Sequence, residues 1–245
     1  MRIIICANEQ ELDIKAAEDL ANHIKRNPDT VLGLATGGTP VGMYEQLIDM
    51  HKNDELDFSR TISFNLDEYV GIPYDHPCSY HAYMDENLFD HVNMSRENIN
   101  IPDGLSESLD EACTEYEEKI KSVGGIDVQI LGIGHNAHIG FNEPGTPFHS
   151  VTSIVELTPS TREANSRFFD SIDEVPTHAV SMGIKTIMQA KKIILLAKGA
   201  DKADAILKAL YGPITPDVPA SVLQLHPNVT VFVDKEAGSK FPTKD

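Results

Sequence analysis

The stretch richest in groups that could do chemistry is Gly132-Ile133-Gly134-His135-Asn136-Ala137-His138-Ile139-Gly140-Phe141-Asn142-Glu143-Pro144, directly after an apolar run. Its two histidines and glutamate could suggest a metal site. The spacing is not H-E-x-x-H, however, and the glycines point to a loop instead of a helix. Proton transfer is the other chemistry open to these groups, since an imidazole titrates near neutral pH. On that reading His138 moves the proton, while Glu143 and Asn136 fix its orientation or tautomer.

A second stretch, Thr61-Ile62-Ser63-Phe64-Asn65-Leu66-Asp67-Glu68-Tyr69, leads an apolar strand into adjacent carboxylates. In open α/β sheets the C-terminal ends of strands face the ligand crevice, so both carboxylates are expected at a cleft. A carboxylate there can take a proton from a carbon next to a carbonyl. Taken alone, the pair fits a solvated loop at least as well.

The third stretch is Val31-Leu32-Gly33-Leu34-Ala35-Thr36-Gly37-Gly38-Thr39-Pro40, with Tyr44, Leu47 and Ile48 marking a helix beyond it. Thr39 suits the N-cap and Pro40 the first helical position. Glycines let backbone N–H groups approach an anion, and a helix start favours negative charge. A tight turn with no ligand explains Gly37-Gly38 equally well. Neither G-x-G-x-x-G nor G-K-[ST] is present, so a monophosphate fits better than a nucleotide, and no cofactor is expected.

These groups need a scaffold, and the chain supplies one pattern from end to end. Apolar runs at 2–6, 30–35, 61–66, 127–132, 192–197 and 229–233 alternate with amphipathic stretches such as 9–25 and 109–123. That predicts an α/β fold, an open, mostly parallel twisted sheet with helices on both faces, Rossmann-like in character. Repeats, low-complexity tracts and Pro/Ser-rich linkers are absent from the sequence, so 1–245 reads as a single domain. The irregular, polar segment at about 158–179 suits a mobile lid over a site.

Composition narrows the partners. Thirty-eight acidic against twenty basic residues give a formal charge of -18, which disfavours nucleic acid. A small anion would then need a locally positive pocket. Cys6, Cys78 and Cys113 form no C-x-x-C pair, which fits a reducing compartment and argues against a disulfide or metal. The N-terminal apolar run is too short for a signal peptide, and no segment reaches transmembrane length, so a cytoplasmic protein without a membrane is expected.

Three motifs together, Leu34-Ala35-Thr36-Gly37-Gly38-Thr39-Pro40, Asn65-Leu66-Asp67-Glu68-Tyr69-Val70-Gly71 and Gly132 through Pro144, resemble those of glucosamine-6-phosphate deaminases. Thr161-Arg162-Glu163-Ala164-Asn165-Ser166-Arg167-Phe168-Phe169 and Leu223-Gln224-Leu225-His226-Pro227 extend the likeness over nearly the whole chain. The resemblance implies conversion of glucosamine 6-phosphate and water to fructose 6-phosphate and ammonia. It implies Asp67 as the base moving a proton between carbons 2 and 1 of the opened sugar, and His138 as the group that opens the ring. Glu143 and Asn136 become its relay partners. Thr36, Gly37, Gly38 and Thr39, with Arg167 and Lys202, become the phosphate clamp.

Two departures from the family pattern carry expectations. Some members have Asp where this chain has Asn136, which can orient but cannot ionise, so His138 and Glu143 should carry the protonic work. Allosteric members have basic residues where this chain reads Thr152-Ser153-Ile154-Val155-Glu156, and they extend further beyond the position of Phe241. An enzyme without activation by the acetylated sugar phosphate, and a monomer instead of a hexamer, is expected. The rivals are a 6-phosphogluconolactonase, whose usual histidine motif lacks Asn142-Glu143-Pro144, and a sugar-phosphate sensor without catalysis. His76, His81, His91, His149 and His178 read as surface or packing residues, His226 as structural, and Tyr80 and Tyr83 as packing beside the helix after Pro77.

Overall fold

The computed structural model describes residues 1–242. In chain order the elements are β1 (Arg2–Cys6), α1 (Glu9–Arg26), β2 (Val31–Leu34), α2 (Val41–Lys52), β3 (Ile62–Asn65), β4 (Asp67–Tyr69), α3 (Tyr80–Asn87), β5 (Ile99–Asn100) and α4 (Leu109–Ser122). They continue with β6 (Val128–Leu131), β7 (Ser153–Glu156), α5 (Pro159–Asn165), β8 (His178–Ser181), α6 (Ile184–Met188), β9 (Lys192–Ala197), α7 (Ala203–Tyr211) and β10 (Val229–Asp234).

Seven strands form a parallel sheet in the order β1-β10-β9-β6-β2-β3-β5. Every residue of β2, β6 and β10 is buried, as expected of strands covered on both faces, and that is why they read as mainly apolar runs. Helix α1 starts at Asn8, whose side chain accepts from Glu11 N at 2.9 Å, and it buries Leu12, Ala16, Leu20 and Ile24 on the face their spacing requires. From β2 the chain goes outward to β3 and β5 on one side, while β6, β9 and β10 fill the other. The C-terminal ends of β2 and β6 therefore flank the switch point, where such sheets open a crevice.

A second, antiparallel sheet of order β4-β8-β7 was not evident from the sequence. After β3 the chain crosses into it at Leu66, whose N–H donates to Leu34 O at 3.0 Å and whose carbonyl accepts from Met182 N at 2.7 Å. Asp67 then pairs with Ser181 and lies in a strand instead of a loop. The start of α2 also differs from expectation. Pro40 is the N-cap, and no side chain caps the helix, because Thr39 is turned to the cleft instead.

Candidate active site

The cleft at the switch point has a volume of about 210 Å³ and gathers side chains from four strand ends. Thr36, Gly37 and Thr39 follow β2, Asp67 follows β3, His138 follows β6 and Lys202 follows β9. Arg167 reaches it from the segment after α5.

The turn after β2 has a fixed shape. Gly37 has φ 88°, open to glycine at little cost, and its carbonyl accepts from the Tyr83 hydroxyl at 2.7 Å. The Tyr44 hydroxyl donates to Ala35 O at 2.7 Å and accepts from Ala35 N at 3.2 Å. The N–H groups of Gly37, Gly38 and Thr39 donate to no other backbone or side-chain group among the described residues. With the start of α2 behind them they form an anion cradle, to which Lys202 and Arg167 add positive charge.

Asp67 is 5% exposed, and its Oδ1 is buried without a hydrogen-bond partner. Burial pushes its carboxyl up to about 8, the Glu68 charge adds to the rise, and the Thr36 hydroxyl pulls weakly the other way. A carboxylate whose affinity for a proton is raised this far is suited to take one from carbon and return it. Glu68 does not share the cleft, contrary to the sequence expectation. Alternation along β4 turns it to the other side. There, fully buried, it accepts from Tyr69 N, Tyr80 N and His81 N at 2.8, 3.0 and 3.0 Å and meets His81 Nδ1 at 2.7 Å. Glu68 thereby ties the start of α3 to β4, and His81 is its packing partner.

The loop after β6 holds His138 against the cleft. Ala137 takes φ 67°, and a Cβ on Gly134 would sit 2.3 Å from the His138 ring, so the loop closes round the imidazole only with glycine at 134. Asn142 Nδ2 donates to Ile139 O at 2.8 Å and Met182 O at 2.9 Å, fastening the loop to the strand that pairs with Asp67. Behind the imidazole, Glu143 Oε1 lies 3.4 Å from His138 Nδ1. Asn136 Nδ2 donates to Glu143 Oε2 at 2.6 Å, and Asn136 Oδ1 accepts from His138 N at 3.2 Å. Burial works to raise the Glu143 carboxyl, but His138, the Thr161 hydroxyl and the Asn136 amide outweigh it and hold it down at about 2. Asn136 thus braces the glutamate and the loop and does not touch the imidazole ring by these bonds.

Of the residues singled out from the sequence, Thr36, Gly37, Thr39, Asp67, His138, Arg167 and Lys202 line the cleft; Asn136 and Glu143 stand behind His138, and Gly38 completes the turn. Sequence reasoning missed three groups. Tyr80 lines the cleft, its ring 4.7 Å from that of Tyr69, so it does more than pack beside a helix. Tyr83 pins the cradle, as above. Thr161 of α5 donates to Glu143 Oε1 at 2.5 Å. Their spacing along α3 places Tyr80 and Tyr83 on one helical face, the one signal that could have linked them. His226 is structural, with Nε2 2.8 Å from Ala190 O. Among the described residues no cluster of three or more His, Cys, Asp or Glu side chains could hold a metal ion, and no helix is long and apolar enough to cross a membrane.

The sequence matches the family described as glucosamine-6-phosphate isomerases/6-phosphogluconolactonase over residues 7–232. Similar curated proteins include a glucosamine-6-phosphate deaminase of Thermoanaerobacter pseudethanolicus, 54% identical over 245 residues, which covers 100% of this chain and 97% of the relative. Another, of Clostridium botulinum strain Loch Maree, is 55% identical over 244 residues and covers 100% of both. Among solved structures, a monomeric glucosamine-6-phosphate deaminase superposes with a TM-score of 0.96 at 49% identity, covering 98% of this chain and 99% of that one. The 6-phosphogluconolactonase of Trypanosoma brucei superposes with a TM-score of 0.82 at 21% identity, covering 98% of each, which is a likeness of fold alone.

Proposed function

Because the chain belongs to the family of glucosamine-6-phosphate isomerases and 6-phosphogluconolactonases, we infer that it acts as its full-length deaminase relatives are named to do. It is an enzyme of amino-sugar metabolism that converts glucosamine 6-phosphate and water to fructose 6-phosphate and ammonia. The observation that carries this reading is the pairing, in one cleft, of a buried carboxyl of raised proton affinity with an imidazole–carboxylate pair, beside an anion cradle.

In the mechanism this supports, the Gly37, Gly38 and Thr39 N–H groups with Thr36, Lys202 and Arg167 hold the 6-phosphate. His138, with Glu143 holding its ring, moves the proton between the anomeric hydroxyl and the ring oxygen that opens the pyranose. Asp67 removes the proton on carbon 2 of the open aldehyde while the substrate's ammonium group passes one of its protons to the carbon 1 oxygen, leaving a neutral enolamine. It returns that proton to carbon 1, which becomes CH₂OH while carbon 2 becomes an iminium. Water adds to carbon 2, ammonia leaves, and a ketone remains. The segment at about 158–179 closes over the phosphate and excludes bulk water, leaving the one molecule that adds to carbon 2.

The chain works as a single domain and as a monomer, in the cytoplasm, without nucleic acid and without metal. The likeness to a monomeric deaminase supports the oligomeric part of this reading. Incubating the purified chain with glucosamine 6-phosphate should release ammonia and fructose 6-phosphate in equal amounts, with chelator present or absent. Hydrolysis of 6-phosphogluconolactone in its place would refute the assignment.

A further inference from the structure

His138 Nδ1 is buried and has no hydrogen-bond partner, although it belongs to the proposed ring-opening residue. Its nearest carboxylate oxygen, Glu143 Oε1, stands at 3.4 Å, beyond the range in which an N–H···O⁻ bond holds an imidazole firmly. That same oxygen is already claimed by Thr161, whose hydroxyl donates to it at 2.5 Å and whose side chain is buried, at 4% exposure. The Thr161 hydroxyl in turn accepts from Thr158, the N-cap of α5, at 3.0 Å.

The other end of α5 carries Asn165, which lines the cleft and donates to the Tyr69 hydroxyl at 2.9 Å, two residues along β4 from Asp67. Arg167 follows two residues later in the same cleft. One short helix therefore touches the glutamate behind His138, the strand of the base and the region of the phosphate. A helix moves as a body, so a pull at its C-terminal end is felt one turn back.

We propose that Thr161 is a positioning residue that couples the substrate's phosphate to the His138–Glu143 pair. Phosphate engaged by Arg167 draws α5 toward the cleft, and through Thr161 the Glu143 carboxylate turns onto His138 Nδ1. The ring-opening group is thus completed only when a phosphorylated sugar is bound. This uses binding energy from a remote part of the substrate on the chemical step. It rests on the deaminase reading and on the phosphate role of Arg167 given above.

A double-mutant cycle on the intact chain tests it, with glucosamine 6-phosphate as substrate. Thr161→Val should lower kcat about 10-fold with KM within about 3-fold, and Thr161→Ser, which keeps the hydroxyl, should recover most of the loss. Arg167→Met should raise KM and lower kcat, and adding Thr161→Val to it should cost less than about 2-fold more in kcat, because the coupling is already broken. Losses that multiply in the double variant, or a Thr161→Val enzyme as fast as the parent, would overturn the coupling while leaving the deaminase reading intact. A parent enzyme that releases no ammonia would remove both.

Discussion

Asp67→Asn should abolish turnover, lowering kcat by about 10³-fold or more, while making the protein more stable above neutral pH. The first effect follows from the proposed mechanism: an amide of the same shape cannot accept the carbon 2 proton. The second follows from linkage. The folded carboxyl holds its proton up to about pH 8, whereas the unfolded one releases it near the ordinary value of 3.8. Between these values the unfolded state gives up a proton that the native state keeps, so native stability falls as pH rises through that window. The cost is absent below the unfolded value and complete above the folded one. Asparagine removes it, for a gain on the order of 5 kcal/mol at pH 8. Denaturant melts of both proteins at pH 5 and pH 8.5 measure the gain, which should be several-fold larger at the higher pH. In the parent enzyme kcat/KM should climb about tenfold per pH unit below the Asp67 value and level off above about 8. A stabilised variant that keeps its activity would show that the buried carboxyl is not the base.

His138→Gln should lower turnover about 10² to 10³-fold and change the way the rate depends on enzyme. Glutamine fills much of the space but cannot relay a proton between the anomeric hydroxyl and the ring oxygen. Pyranoses also open unaided in water, and Asp67 remains in place to process the open form. At high concentrations of the variant the rate should therefore stop rising with enzyme and settle at the spontaneous opening rate, whereas the parent stays proportional throughout. Strict proportionality in the variant, with the same loss, would place His138 in the later proton transfer instead.

Much of this arrangement was legible because parallel strands buried on both faces are rich in Val, Ile and Leu. Such runs as Lys192–Ala197 stand out in a sequence. The positions of Asp67 and His138 at strand ends could be read for the same reason. What escaped was carried by single polar contacts. Asp67–Tyr69 is three polar or aromatic residues, and only its antiparallel partner His178–Ser181, over a hundred residues later, makes it a strand. Glu68, beside Asp67, has the character of a surface residue, and its burial depends on the N–H of Tyr69 and on two N–H groups and an imidazole that α3 brings to it. Tyr83 and Thr161 each act through one hydroxyl, and no periodicity announces where a hydroxyl will point. The start of α2 was misplaced by one residue because Thr39, a good cap by composition, faces the cleft.

The movement of the carbon 2 hydrogen is the step on which everything above depends, and glucosamine 6-phosphate deuterated at carbon 2 reports it directly. Asp67 is 5% exposed, so the hydrogen it takes exchanges slowly with water. The fructose 6-phosphate formed should have lost its deuterium from carbon 2 and carry part of it on carbon 1, as read by NMR of the product. An aldose phosphate that still holds deuterium on carbon 2 would contradict this, because the amine would then have been displaced without any base acting at carbon.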